Sequence, residues 1–262
     1  MIELHPFHDV WVVLPTYDEA ENIEAIGGAI LAALPGAVLL VVDDGSPDGT
    51  GRIADAMASA DARVRVLHRT TKAGLGPAYL AGFRVALEAG ATGIVQMDAD
   101  WSHDPAALPA LVDALAEADL VIGSRYVSGG RVTDWGLLRR IISRGGSLFS
   151  RVVLRLAPRD LTGGYKAWRA AMLAGLPRDG VHAGGYVFQI EMTFLADRRG
   201  ARIVEVPITF TDRRLGQSKM SRRIVVEALV VVVQLRIDEL RGRGPTGQAR
   251  TTVRDGGLPP TT

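Results

Sequence analysis

Val38-Leu39-Leu40-Val41-Val42-Asp43-Asp44-Gly45-Ser46-Pro47-Asp48 decides how the rest of this 262-residue chain is read. Five consecutive apolar, β-favouring residues leave no wet face, so the run reads as a strand buried on both sides, and the acidic Gly/Pro turn ends it. The design recurs outward from there. Val10-Trp11-Val12-Val13-Leu14 is another such run, stopped by Pro15, and further apolar strands are expected at 64–67, 93–97 and 119–122. Helical periodicity fills the gaps at 19–34, 52–60, 75–89 and 105–117. Strands alternating with helices imply an α/β fold with a mainly parallel central sheet and helices on both faces.

The regularity breaks after Gly123-Ser124-Arg125-Tyr126. Residues 127–135 read as a loop holding Gly129-Gly130. A helical pattern resumes over 139–156, with Ile141, Leu148, Val152 and Leu156 on one face and Arg140, Arg144, Arg151 and Arg155 off it. Gly145-Gly146 weakens its middle and leaves room for a kink. A short strand is expected over 165–168, a helix over 188–199, and a β-like stretch over 203–210 that Pro207 interrupts. Residues 224–235 are strongly apolar but far short of the roughly 20 needed to span a bilayer, so an amphipathic helix lying on protein or on a membrane surface is expected. The Gly/Pro/Thr/Arg-rich residues 241–262 have the composition of a disordered tail. No internal repeat is visible.

Composition narrows the class. With no cysteine, disulfides and thiolate metal sites are excluded, which suits a reducing compartment. The first ten residues lack the basic start and apolar core of a signal peptide. A formal net charge of +1 conceals a polarity: residues 1–124 carry 18 acidic and 6 basic residues (−12), residues 125–262 carry 11 acidic and 24 basic (+13). A basic second half suits an anionic ligand. Nucleic acid is not favoured, because no helix-turn-helix, zinc-finger or aromatic RNA-binding signature is present. An anionic lipid fits the same charge. Of the 30 basic residues only Lys72, Lys166 and Lys219 are lysine, and two of these lie in Gly-containing loops.

The expected chemistry sits where strands end, which is where open α/β sheets collect ligands. Pro15-Thr16-Tyr17-Asp18-Glu19 follows the first strand and Asp43–Asp48 the second; carboxylates there suit a base edge or ribose hydroxyls, not phosphates. Ser46 or Asp48 would equally cap the next helix. Lys72-Ala73-Gly74-Leu75-Gly76 precedes the third helix and offers close backbone approach beside a cation, with glycine spacing that fits neither a Walker A loop nor a dinucleotide fingerprint. Met97-Asp98-Ala99-Asp100-Trp101-Ser102-His103 ends the 93–97 strand with two carboxylates one residue apart, the oxygen donors that Mg²⁺ accepts alongside substrate phosphates.

Together these motifs resemble the inverting glycosyltransferases of family 2, which have the GT-A fold, and within them the polyprenol-phosphate mannosyltransferases. Ser102-His103-Asp104-Pro105, Gly123-Ser124-Arg125-Tyr126, Thr162-Gly163-Gly164-Tyr165-Lys166 and Gly216-Gln217-Ser218-Lys219-Met220 extend the resemblance over about residues 10–237. It implies one GT-A domain over 1–240, with a nucleotide-sugar half at 10–124 and an acceptor half at 125–240. It implies transfer of mannose from GDP-mannose to a polyprenyl phosphate, glucose or another sugar being the alternative and an inactive regulatory subunit a remoter one. Pro15, Tyr17, Glu19, Val41, Asp43, Asp44, Lys72, Gly74, Asp98, Ala99, Asp100, Arg213 and Lys219 are implied for the donor. Asp98 and Asp100 are implied for Mg²⁺ or Mn²⁺, with water completing the shell because Ser102 stands where some relatives place glutamine. Asp100, Arg125, Arg213 and Lys219 are implied for catalysis, Ser124, Arg125 and Arg139 for the acceptor phosphate, and Gln189 and Glu191 for the acceptor side. The lipid acceptor implies a cytoplasmic protein peripheral at the membrane, bound through residues 139–156 and 221–240 or through a membrane-protein partner. Processive polysaccharide synthases are disfavoured because their Gln-x-x-Arg-Trp motif is missing.

Overall fold

The computed structural model describes residues 9–177, 181, 185–211 and 222–242. Nine strands and eight helices are described, in the order β1 (Val10–Thr16), α1 (Ile23–Ala33), β2 (Val38–Asp43), α2 (Thr50–Ala60), β3 (Val64–His68), α3 (Leu75–Glu88) and β4 (Gly93–Gln96). A single 3₁₀ turn (Pro105–Ala107) leads into α4 (Leu108–Ala114), then β5 (Leu120–Ser124), β6 (Arg131–Val132) and α5 (Leu137–Leu154). The remainder is β7 (Lys166–Arg169), α6 (Ala170–Gly175), α7 (Gly185–Arg198), β8 (Ile203–Pro207), β9 (Thr209–Phe210) and α8 (Arg222–Leu240).

Seven strands form one sheet in the order β3-β2-β1-β4-β7-β5-β8, and β6 pairs with β9 in a small second sheet. All neighbours in the large sheet are parallel except β7, which runs antiparallel to both β4 and β5. The expectation of a mainly parallel sheet with both faces covered therefore holds. Side-chain alternation divides the core: Val10, Val12, Leu14 and Val41 pack under α1, α2 and α4, whereas Trp11, Val13, Leu40 and Val42 pack under α3 and α7. At Gly82 of α3 a Cβ would come within 2.4 Å of Val13 Cγ1, so only glycine lets this helix approach β1 so closely.

Three local expectations are corrected. Pro15 does not stop β1, which continues to Thr16 paired with β2. The Thr16 carbonyl accepts from Asp44 N and the Val13 carbonyl from Met97 N, so alternation turns Pro15's missing N–H toward the β4 side, beyond the last ladder residue Gln96. Likewise Pro207 lies within β8, and the break falls at Ile208. Gly145-Gly146 leaves α5 unbroken from Leu137 to Leu154.

The apolar stripe of α5 faces outward. Leu137, Ile141, Leu148 and Val152 are between 57 and 74% exposed, while Ser143, Ser147, Ser150 and Leu154 turn inward; of the expected stripe only Leu156, just past the helix end, is buried. α8 packs beside α5 and also exposes apolar residues, Val226, Val230, Val233, Ile237 and Leu240. A small core of Leu154, Leu156, Leu161, Ile190, Phe194 and Val232 joins both helices to α7. Arg198 of α7 ties them further, pairing with Glu239 of α8 and donating to the Leu154 carbonyl.

Candidate active site

Strand order reverses at β1, whose neighbours β2 and β4 lie on opposite sides, and at this switch point a cleft of about 290 Å³ opens. Pro15, Thr16, Tyr17 and Glu19 from the end of β1, Asp44 after β2, Lys72, Gly74, Leu75 and Ala78 around the start of α3, and Asp98, Ala99 and Asp100 after β4 line it. Nine of the thirteen expected donor-side residues are among them.

The loops after β1 and β2 are laced together. Backbone amides of Asp18, Glu19 and Ala20 donate to Ser46 Oγ (3.2 Å), Thr50 Oγ1 (2.9 Å) and Asp48 Oδ2 (3.0 Å). Burial pushes the Asp48 carboxyl upward, but hydrogen bonds from Thr50 and Ala20 outweigh it and hold the group below its ordinary value. Asp44 organises the next wall: its Oδ1 meets Arg69 at 2.6 Å, and its Oδ2 accepts from Ala73 N and Gly74 N. Lys72 Nζ sits 3.2 Å above the Tyr17 ring, closing one side with a cation–π contact. Thr16 Oγ1 is buried in the cleft wall with no partner among the described residues.

The opposite wall carries the two carboxylates. Asp98 Oδ1 accepts from Tyr79 Oη at 2.7 Å, and Tyr79 is held by stacking on Phe83 and Phe188. Burial, and then the adjacent Asp98 charge, push the Tyr79 phenol well above its usual value, so it stays a donor. Asp100 Oδ1 accepts from Ser102 N at 3.1 Å across a turn that places Trp101 at φ +62°. His103 Nδ1 accepts from Asp98 N at 3.1 Å, so its proton resides on Nε2, and burial lowers its basicity.

Some expected residues lie elsewhere. Val41 is wholly buried in mid-strand with both edges paired, so neither its side chain nor its amide meets a ligand. Asp43 is also withdrawn, accepting from Ser46 N and Oγ. Ser124 is buried at the end of β5 and its Oγ caps the Tyr126 amide. Arg125 is not turned outward as a phosphate ligand. Its Nε and Nη2 fork onto Asp160 at 2.7 and 2.6 Å, Nη2 also reaches Thr162, and the rings of Tyr126, Trp135 and Phe210 enclose it. Asp160 is fully buried; burial pushes its carboxyl upward, but the Arg125 charge wins and holds it below the ordinary value. Arg139 of α5 is half-buried above Trp135. Gln189 and Glu191 of α7 are buried. Arg213 and Lys219, with the rest of the Gly216–Met220 motif, lie outside the described residues.

Tyr79, Gln96 and Asp160 went unnoticed in the sequence. A glutamine closing an apolar strand run was a readable signal for Gln96. Asp160 had only an indirect one, since an arginine at a buried strand end requires a counter-charge.

A family model described as Glycosyl transferase family 2 matches residues 11–175. The chain is 52% identical over 225 residues to an undecaprenyl-phosphate mannosyltransferase of Micrococcus luteus, covering 86% of this chain and 93% of that protein. It is 47% identical over 253 residues to a polyprenol monophosphomannose synthase of Mycolicibacterium smegmatis, covering 96% and 94%. Among solved structures, glucosyl-3-phosphoglycerate synthase from Mycobacterium tuberculosis with Mn²⁺, UDP and phosphoglyceric acid superposes with a TM-score of 0.60 at 24% identity, covering 90% of this chain and 78% of that one. A mannosyltransferase from Pyrobaculum calidifontis in complex with GDP-Man and Mn²⁺ gives 0.58 at 19%, covering 88% and 64%. These two likenesses speak to the fold.

Proposed function

The chain belongs to glycosyl transferase family 2, and we propose from that premise that it transfers mannose from GDP-mannose to a polyprenyl monophosphate, inverting the anomeric carbon. The observation that carries the reading is the cleft at the strand-order reversal, with carboxylates for nucleoside hydroxyls on one wall and the Asp98/Asp100 pair on the other.

That pair fits a hard divalent cation. One oxygen of each carboxylate is fixed from the protein side, by Tyr79 and by Ser102 N, which orients both groups. No cluster of three or more His, Cys, Asp or Glu suited to a metal exists among the described residues, which therefore offer part of a shell and not a closed cage. Such a half-set suits Mg²⁺ or Mn²⁺ completed by a diphosphate and water. When bound, the cation supplies positive charge to the leaving diphosphate.

The chain's own residues do the rest. Tyr17, Glu19 and Asp44 hold the nucleoside end, with Lys72 beside the phosphates. A lipid monophosphate is already largely ionised at neutral pH, so the acceptor needs no general base. What it needs is compensation for bringing two anions together, and the +13 balance of residues 125–262 supplies that. Arg139 is the described cation assigned to the acceptor phosphate; Arg213 and Lys219 are assigned to the acceptor and the leaving diphosphate. Arg125, committed to Asp160, acts by holding the 160–164 loop against the end of β5. Residues 10–124 and 125–240 act as donor and acceptor halves of one domain.

No helix among the described residues is long and apolar enough to cross a membrane. The outward apolar faces of α5 and α8 instead support peripheral attachment at the cytoplasmic face, directly or on a membrane-protein partner. The deciding assay offers radiolabelled GDP-mannose and a short-chain polyprenyl phosphate with Mn²⁺. Mannosyl lipid is expected; transfer from UDP-glucose and none from GDP-mannose would overturn the donor assignment.

A further inference from the structure

A buried chain of side-chain amides runs behind the cleft. Trp168 Nε1 donates to Gln96 Oε1 at 2.8 Å, and Gln96 Nε2 donates to Gln189 Oε1 at 2.7 Å and to the Gly164 carbonyl at 3.0 Å. Trp168, Gln96 and Gln189 are each 2% exposed or less. An indole nitrogen can only donate, so Gln96 must meet it with oxygen and must turn its NH₂ to Gln189, which must in turn accept. The polarity of the chain is set from two sides, by the Trp168 donor and by the Gly164 carbonyl, which can only accept. Its last member is Gln189 Nε2, buried and without a partner among the described residues. Native folds rarely leave such a donor unmet, and those that do commonly have a use for it.

That nitrogen lies close to the Asp98 side of the site. A Cβ built on Gly164 would stand 3.4 Å from Gln189 Nε2, 3.4 Å from His103 Cε1 and 3.5 Å from Asp98 Oδ2. Gly164, having no side chain, thus leaves a Cβ-sized notch between the amide and the carboxylate. Lys166 fixes the backbone behind it, donating to the Gln189 carbonyl at 2.7 Å.

We propose that Trp168 and Gln96 are positioning residues that lock Gln189 as a hydrogen-bond donor to a substrate oxygen brought beside Asp98. This rests on the mannosyl-transfer reading. The oxygen accepts a hydrogen bond, and belongs either to a hydroxyl of the donor sugar or to the acceptor phosphate. A reversed amide would turn lone pairs toward Asp98, repelling a phosphate oxygen and forcing a hydroxyl to turn round and donate instead.

The test measures mannosyl transfer, with KM for each substrate, together with calorimetric titration of GDP-mannose and of prenyl phosphate in the presence of Mn²⁺. Gln189→Met removes the donor. Gln96→Glu can only accept once ionised, whereas burial beside the Gly164 carbonyl favours the acid, which still donates; the variant is therefore assayed up to alkaline pH, where Gln189 must turn its NH₂ inward and present oxygen to the notch. Gln189→Met should lower kcat/KM about tenfold or more. Gln96→Glu, at a residue that touches no substrate, should once ionised lower it at least as far, and combining the two should add little. A loss confined to GDP-mannose assigns the oxygen to the sugar, and one confined to prenyl phosphate assigns it to the acceptor. Gln189→Met within twofold of wild type overturns the proposal, as does a folded Gln96→Glu with full activity at alkaline pH. Should Gln96→Glu not fold, Gln96→Met decides, because it removes the donor that holds Gln189 Oε1, and wild-type kinetics there would overturn the lock. If the wild-type protein transfers no mannose, the assigned reaction fails by itself. Equal affinities of wild type and Gln189→Met in both titrations would then overturn this proposal too.

Discussion

Asp160→Asn tests how far the acceptor half depends on a single buried charge pair. Arg125 and Asp160 are 2 and 0% exposed at the side chain. The carboxylate accepts from Arg125 N, Nε and Nη2 and from Gly163 N, so its loss strands a guanidinium that water cannot reach. Breaking a buried pair from one side costs about 3–5 kcal/mol, because the partner's charge is left uncompensated. Against a total stability of about 5–15 kcal/mol that is a large share, and for a domain this size it lowers the melting temperature by roughly 6–20 °C. Urea unfolding monitored by tryptophan fluorescence would read it as a lower midpoint with an unchanged slope. The effect should depend on pH with a defined sign. The folded carboxyl lies below its ordinary value, so the stabilisation is complete above the unfolded value near 3.8 and is lost as pH falls through the folded one. Wild type and variant should therefore differ fully from neutrality down to about pH 4 and converge below it. A difference under 1 kcal/mol at pH 7, or one that grows on acidification, would refute the reasoning.

Asp100→Ala should abolish mannosyl transfer while shifting the melting temperature little; retained transfer would remove Asp100 from the proposed cation site. Tyr79→Phe keeps the stack on Phe83 and Phe188 but frees one oxygen of Asp98, so the Mn²⁺ concentration for half-maximal activity should rise about 10- to 100-fold, and an unchanged value would refute the anchoring role. Lys166 is buried and its ammonium is pushed down to about 7, below an ordinary 10.5, so the unfolded chain binds the extra proton in between. Wild-type stability should therefore rise relative to Lys166→Met from about pH 7 to pH 10, and parallel profiles would contradict it. Ile141→Asp combined with Val230→Asp should release the protein from anionic vesicles in sedimentation with GDP-mannose affinity unchanged; undiminished co-sedimentation would refute attachment through α5 and α8.

The donor side was readable because its signals are local. Buried strands advertise themselves by period and composition, and the loops after β1, β2 and β4 carry acids that nothing in a strand would explain. What escaped depends on partners distant in sequence. Val41 belongs to a motif whose neighbours meet the cleft, yet its place in mid-sheet withdraws it. Arg125 reads as a free cation until Asp160, 35 residues later, is folded against it. The direction of β7 is invisible in four residues whose pattern suits either sense. α5 misled for a different reason: an apolar stripe says that one face avoids water, not that this face meets the protein, and here the serines face inward.

β7 has a consequence for how the protein comes into being. Among the described residues it is the strand that bridges β4 and β5 in the sheet, and it arrives some seventy residues after β4 leaves off. A nascent chain ending at residue 124 would present β4 as an open edge, with β5 lacking the neighbour that joins it to the rest. Open edges invite pairing with other chains. β4 and β5 are thus joined only once about two-thirds of the chain has been synthesised, with β8 added later still, and the donor half, though continuous in sequence, is not a module that can be cut out, transplanted or expressed alone without a surrogate strand along β4.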